Sequence, residues 1–400
     1  MTDKFIHTIG ILDASDRGSW ELVGGIPLIA RYIYYFVELG IKEAYILVSK
    51  DTKIKNISKW TNKWKDKIII YEHICENTFG FLSQIQSNIL YINTSFLIDK
   101  RIIEKIYNSS PTTIFLLNEA QKNIFLGIFD KDGLRLWAEK GLSGLLDTVC
   151  IIRKEDIDTF SVEIRGNLEP YIVSVKNKKD ANKATLMLIK NMQKKVMDLP
   201  AEWIDPFFEN YLTYILCKTP ITPNIVTIFS LFIAIIIAIL FYNGYFLLGA
   251  FSTYIVEVLD GVDGKLARTK LQFSKFGEYE CVVDYFYENL WYISLGIGLK
   301  RVFCYDFALF VAGIIVFCDT LDNIIYTLAN KWLPKNLDLM SPFDMTFRRI
   351  AGRRNIYCFM FMIGFLMQYY IQTFLVVSIW SVITVSVHIL RLIHHKRNIV

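Results

Sequence analysis

Five acids stand close together in a part of the chain that is otherwise mostly apolar: Asp260, Asp263, Glu280, Asp284 and Glu288. Asp260 and Asp263 are three residues apart, and Glu280, Asp284 and Glu288 are spaced by four, so each set falls on one face of a helix. Both faces continue into long apolar runs, and the five carboxylates are expected to meet where two helices pack. Uncompensated acids at the edge of hydrocarbon are costly and by default mark a functional site. Oxygen-only ligands clustered on two helices favour a hard divalent cation, Mg²⁺ or Mn²⁺. Four or five carboxylates suffice for two ions, a clamp suited to displacement at phosphorus. Gly264 and Ala267 continue the first face without bulk, leaving room for a flat group such as a nucleobase or a pyrophosphate. Arg268 is placed to pair a phosphate or an acid. A plainer reading stays open, in which acids at a helix end face water beside basic residues.

The elements that must position these residues follow from an uneven composition. Of 400 residues, 53% are hydrophobic and 21% charged, but residues 1–218 carry 29 Lys/Arg and 27 Asp/Glu while residues 219–400 carry 15 and 12. The first part reads as a soluble domain with a core of ordinary size, and the second as a membrane domain. This excludes a simple soluble enzyme, a secreted disulfide scaffold and a disordered chain. A net charge of +5 is too small to imply nucleic acid. Seven scattered cysteines without a CxxC pair read as free thiols, supporting neither disulfides nor zinc. Thr2–Ile9 is short and polar, unlike a signal peptide, so the soluble domain is expected in the cytoplasm.

Residues 1–195 alternate strand-like and helix-like segments: a strand within Phe5–Leu12, a helix over Pro27–Leu39 closed by Gly40, and strands at Ala44–Val48, Ile68–Tyr71, Asn88–Leu97 and Thr112–Leu117. That order predicts an α/β layered domain with a mostly parallel sheet, ending in a Lys-rich helix over Asp180–Met197. Residues 196–218, with Trp203, Phe207, Phe208, Tyr211 and Tyr214 among acids, read as an interfacial helix. Six spans are expected in 219–400, about Pro223–Tyr242, Tyr245–Asp263, Phe276–Leu299, Asp306–Leu328, Asn355–Ile371 and Thr373–Leu392. Lys265, Arg268, Lys270 and Lys275 after the second span, and Lys331, Lys335, Arg348, Arg349, Arg353 and Arg354 after the fourth, place both termini in the cytoplasm by the positive-inside rule. Asp319 and Asp322 are further intramembrane acids without an assigned role.

Residues 260–277 resemble the signature of the CDP-alcohol phosphatidyltransferases, an integral membrane family, with Asp260, Asp263, Gly264, Ala267, Arg268 and Gly277 in register. The run Cys217-Lys-Thr-Pro-Ile-Thr-Pro-Asn224 is similar to the family's lead-in segment, and the resemblance covers about residues 200–400. It implies an all-α domain of six transmembrane helices, dimeric as family members tend to be. The implied reaction moves a phospho-alcohol group from a CDP-alcohol to an acceptor hydroxyl and releases CMP. Asp260, Asp263 and Glu280 would hold the metals, with Asp284 as a further ligand and as the base. The last two acids depart from the pattern, whose positions fall on Cys281 and Tyr285. A connection one residue shorter brings Glu280 and Asp284 into place; a longer one brings Asp284 and Glu288. An incomplete site would leave an inactive membrane scaffold. Arg348, Arg349, Arg353 and Arg354 are candidates for an acceptor-phosphate pocket, or simply the basic residues of an inside loop.

Gly10–Val48, with Gly24-Gly25-Ile26-Pro27-Leu28, resembles the start of the sugar-nucleotide nucleotidyltransferases, over about residues 5–195. The fusion is similar to the bifunctional inositol-phosphate cytidylyltransferase and di-inositol-phosphate-phosphate synthase, which implies an alcohol or an inositol phosphate as acceptor. The front domain's chemistry is missing from the sequence: Asp13-Ala-Ser-Asp-Arg-Gly18 has one glycine where a Gly-rich loop cradles a triphosphate. Ile26, Asn93-Thr94 and Lys176 stand where the resemblance implies a base and two acids.

Overall fold

The computed structural model of the chain describes residues 8–50, 57–74, 78–82, 84–117, 123–146, 148–161, 164–273 and 280–399. They fall into two compact units, the first running to Ser161 and resuming over Asn167–Asn191, the second running from Met192 and including the segment up to Gly166.

Seven strands of the first unit form one sheet: β1 (Thr8–Asp13), β2 (Glu43–Val48), β3 (Ile69–Ile74), β4 (Asn88–Asn93), β5 (Thr113–Phe115), β6 (Leu126–Phe129) and β7 (Cys150–Ile152), in the order β7-β5-β6-β4-β1-β2-β3. Every pair is parallel except those of β6, which runs antiparallel to β4 and β5. The central strands are apolar on both faces, as a sheet covered on both sides requires, and Ile11, Ile89 and Ile114 are wholly buried. Strand β6 is four residues long, too short to show a period in the sequence. The longer helices here are α1 (Leu28–Glu38), α2 (Lys100–Tyr107), α3 (Lys131–Leu145) and α4 (Lys178–Asn191). Helix α1 is followed by Gly40 at φ +78, the left-handed position that glycine accepts without a Cβ clash. The Lys-rich terminal helix is present as α4 and closes six residues before the expected Met197.

The second unit is helical: α5 (Leu199–Trp203), α6 (Asp205–Cys217), α7 (Pro223–Tyr242), α8 (Phe246–Lys270), α9 (Glu280–Phe303), α10 (Ala308–Trp332), α11 (Pro342–Arg348), α12 (Arg354–Leu366) and α13 (Tyr370–Ile399). Its core gathers Ile237, Phe241, Trp291, Leu295, Phe361 and Phe374 from α7, α9, α12 and α13. Trp291 donates its indole N–H to the Ala234 carbonyl at 2.8 Å, satisfying a polar atom that the core would otherwise strand. Helix α6 is amphipathic in an unusual sense. Its buried side is Asp205, Glu209, Thr213 and Cys217, one per turn, while Phe207, Phe208 and Tyr211 are exposed, with Trp203 just before.

Helices stand at all six expected span positions, but among the described residues only α7, α10 and α13 are long and apolar enough to cross a membrane. Helices α8 and α9 carry the acid cluster, which lowers their hydropathy. Helix α12 has 13 residues, about 20 Å at ~1.5 Å per residue and short of a ~30 Å hydrocarbon core. The second span does not end at Asp263: α8 runs on to Lys270 and stops at Leu271 in the left-handed region, φ 52. Lys265 and Lys270 are therefore buried helix residues rather than loop cations. Lys265 pairs with Glu209 at 2.7 Å. Lys270 donates to the carbonyls of Thr219 and Ile221 at 2.8 and 2.7 Å. Each is neutralised or hydrogen-bonded inside the protein, so neither reports which side of a membrane it occupies.

Candidate active site

Helices α7, α8 and α9 enclose a small cavity lined by Thr227, Ser230, Asp260, Asp263, Asp284 and Tyr287. The spacing of three puts Asp260 and Asp263 on one side of α8, but their surroundings differ. Asp263 is buried and accepts a 2.6 Å hydrogen bond from the Thr227 hydroxyl. Asp260 is half-exposed, on a stripe with Gly264, Ala267 and Arg268 that recurs every turn. A Cβ built on Gly264 would find only the Arg268 guanidinium nearby, at 3.4 Å or more. Packing within the protein therefore does not require glycine there, which leaves the room expected beside the acids. One turn back Gly261 is different, because Glu209 fills the space its Cβ would take.

Arg354, the first residue of α12, ties the cluster together. Its Nη2 donates to Asp260 Oδ2 at 2.7 Å, its Nη1 to Glu288 Oε1 at 2.8 Å and to the Tyr287 hydroxyl at 2.5 Å. Asp284 Oδ2 lies 3.4 Å from Nη1, and Glu257 Oε1 lies 2.5 Å from Nε. Four carboxylates from α8 and α9 thus share one guanidinium. The fork geometry of arginine allows this, whereas the single point charge of lysine would not.

The other three arginines of that segment are held by protein acids elsewhere. Arg348 pairs with Asp198 and, at 3.2 Å, with Asp338. Arg349 pairs with Glu202 at 2.8 Å. Arg353 stacks 4.2 Å above the Tyr326 ring, 3.8 Å from Asp338. Of the four, Arg354 alone meets the acid cluster. Gly277 lies outside the described residues, as does the side chain of Glu280. Asp319 accepts from Asn289 at 3.0 Å and Asp322 meets His388 Nδ1 at 2.5 Å, so both join helices across the bundle.

Among the described residues no group of three or more His, Cys, Asp and Glu side chains is arranged as a metal site. The chemistry of the donor set nonetheless fits a hard divalent cation, since the cavity is lined by the carboxylates of Asp260, Asp263 and Asp284 with hydroxyls beside them. Sequence reasoning missed Glu257, Thr227 and Tyr287. Glu257 carried a signal, an acid one turn before Asp260 inside an apolar run. Thr227 and Tyr287 carried none, because hydroxyl residues are common in such helices. The Glu209–Lys265 pair was also unforeseen; its side chains are 4% and 3% exposed, and Asn210 accepts a second bond from Lys265 at 2.7 Å. Burial raises the Glu209 carboxyl above its ordinary range, and Lys265 partly counters this.

In the first unit a cavity of about 630 Å³ is lined by Asp16, Arg17, Asn93, Ser95, Asn123 and Lys176, among others. Asn93 Oδ1 accepts from the Ser95 N–H and hydroxyl at 3.0 and 2.6 Å. Asp13 accepts from the Tyr91 hydroxyl at 2.7 Å and the Ser15 N–H at 3.1 Å.

No curated protein matches the chain significantly. Among solved structures it is similar to a protein of Bacillus anthracis assigned as a glucose-1-phosphate thymidylyltransferase, at 9% identity and TM-score 0.33 over 45% of this chain and 95% of that one. A UDP-glucose pyrophosphorylase of Acinetobacter baumanii follows at 11% and 0.30, over 45% and 92%. HddC of Yersinia pseudotuberculosis stands at 12% and 0.27, over 45% and 98%. The α/β fold of the first unit is shown by its own seven-stranded sheet. Residues 220–390 match the model of the family CDP-alcohol phosphatidyltransferase, and that stretch, which holds the acid cluster on α8 and α9, is a domain of this family of CDP-alcohol phosphotransferases.

Proposed function

We propose that the second unit transfers a phospho-alcohol group from a CDP-alcohol to an acceptor hydroxyl, with release of CMP, in phospholipid or inositol-phosphate lipid or solute synthesis. The observation that carries this is the convergence of Asp260, Asp263 and Asp284 on one cavity; Asp260 and Asp263 stand where the family signature implies ligands, and Asp284 stands one residue before the last such position. Asp260, Asp263 and Asp284, with Glu280, would hold a pair of Mg²⁺ or Mn²⁺ ions; when bound, such ions draw negative charge from the diphosphate and the departing phosphate. The half-exposed stripe of Gly264, Ala267 and Arg268 receives the nucleotide, where Arg268 pairs a phosphate. Asp284 accepts the proton of the acceptor hydroxyl as its oxygen bonds to the phosphorus bearing the alcohol and the bond from that phosphorus to CMP breaks. A carboxylate is a weak base, so positioning and charge must supply most of the acceleration.

The exposed Trp203, Phe207 and Tyr211 support α6 as a helix lying at headgroup level, with its polar side against the protein. Six crossings, both termini and the site on the cytoplasmic side, and a homodimer complete the reading. Arg348, Arg349 and Arg353 border the acceptor's approach. The front unit makes no CDP-alcohol of its own: Asn93 and Lys176 line its cavity where the resemblance implied acids, and Asp13 is engaged by Tyr91. Membranes containing the protein, incubated with Mg²⁺ or Mn²⁺ and a panel of radiolabelled CDP-alcohols, test the proposal. CMP release with at least one donor and acceptor is expected. No CMP from any donor would leave a non-catalytic scaffold as the function.

A further inference from the structure

Glu257 is a buried carboxylate that the reaction above does not use. It lies one turn before Asp260 on α8 and is 5% exposed. Its Oε1 is 2.5 Å from Arg354 Nε, and the thiol of Cys358, one turn along α12, is 3.9 Å from the same oxygen. A carboxylate so placed is costly unless a charge opposes it, and Arg354 is the cation in contact. The partners of Arg354 divide by depth. Glu257 and Glu288 have side chains 4% and 13% exposed, while Asp284 and Asp260 are 21% and 33% exposed. Two deep acids grip the guanidinium from behind, and the half-exposed pair meets it in front.

We infer that Glu257 is a positioning residue: it anchors Arg354 between α8 and α9, so that Asp260 and Asp284 remain able to exchange their shared arginine for an incoming divalent cation. This rests on the metal-binding part of the reading above. The Glu257 carboxylate, at ion-pair distance from Nε, draws part of the guanidinium's charge away from the acids in front. With Glu257 neutralised, Arg354 turns its full charge on Asp260 and Asp284 and competes with the cation. Glu257 acts here through Arg354 alone and touches no substrate.

The test is Mn²⁺ affinity of the full chain in detergent, read from free Mn²⁺ by electron paramagnetic resonance, which needs neither donor nor acceptor. Glu257→Gln is expected to weaken Mn²⁺ binding about tenfold, the scale on which residues behind a metal ligand act. Made in an Arg354→Gln background, the same change is expected to have no effect. Glu257→Asp, which keeps the charge, is expected to retain most of the affinity, and it serves as the comparison if Glu257→Gln does not fold. Unchanged affinity in Glu257→Gln overturns the inference, as does an equal loss in both backgrounds, which would make Glu257 a general counter-charge. Absence of Mn²⁺ binding by the unaltered chain overturns the metal reading as well, so the two failures are distinguishable.

Discussion

Arg354 Nη2 and Asp260 Oδ2 are 2.7 Å apart across 94 residues of sequence. The contact joins the start of α12 to the acid-bearing face of α8, and it gives a charge cluster that hydropathy alone would penalise a counter-ion within the fold. Under the proposed metal site it would also set a competition, because a divalent cation in the cavity would have to share or displace the arginine.

Removing Asp263, the proposed metal ligand that faces Thr227, should stop the proposed reaction. Asp263→Asn is expected to abolish CMP release, while Thr227→Val, which deletes the 2.6 Å hydrogen bond to Asp263, should lower activity about tenfold, the usual cost of losing a group that orients a metal ligand. Donor-dependent CMP release in membranes measures both, and an active Asp263→Asn enzyme would remove Asp263 from the metal site.

The Glu209–Lys265 pair should be far more sensitive to half-removal than to full replacement. Lys265→Met is expected to cost about 3–5 kcal/mol by leaving a buried carboxylate unpaired, and Lys265→Met with Glu209→Leu should recover most of it. Thermal unfolding in detergent gives the comparison. Equal destabilisation by the single and double variants would show that the pair matters through shape rather than charge.

Asp205 gives the stability a pH dependence. Burial raises its carboxyl from 3.8 to about 6 in the folded protein. The folded state then holds the proton more tightly than the unfolded chain does, so this group's contribution is complete below about pH 4 and is lost as pH rises through about 6. The loss amounts to roughly 3 kcal/mol at most. Asp205→Asn should flatten the unfolding midpoint between pH 4 and 6, and parallel profiles for the two proteins would rule this out.

Trp203 is 75% exposed beside Phe207 at 77%, which an interfacial position explains. In vesicles carrying brominated lipids, Trp203→Phe should lose emission that is quenched by bromines near the ester carbonyls more than by bromines deep in the chains. Loss of emission insensitive to both labels would lift α5 and α6 off the membrane.

Much of the fold was legible because its signals are local. The strands of the first unit follow continuous Ile, Leu and Val runs, and α1 ends at the expected glycine. Strand β6 escaped because four residues cannot establish a period, and its antiparallel direction is set by the neighbours it pairs with. The length of α8 was misjudged because its charged end reads as a loop; Lys265 and Lys270 stay helical because Glu209 and the carbonyls of Thr219 and Ile221 satisfy them inside the fold. Reading Arg348, Arg349, Arg353 and Arg354 as one basic patch likewise overlooked partners that lie far away in sequence, Asp198, Glu202 and Asp338 among them.

The sequence by itself determined that two helices would carry acids on single faces, since helical periodicity depends only on spacing. It also determined the family signature in which those acids stand. Tertiary structure decided which acids share a cavity and which are held in reserve. Asp263 turns to Thr227, Asp260 and Asp284 face the opening, and Glu257 and Glu288 lie behind Arg354. Those choices depend on which side of α8 meets α7, α9 and α12, and no local pattern encodes the rotation of one packed helix against three others.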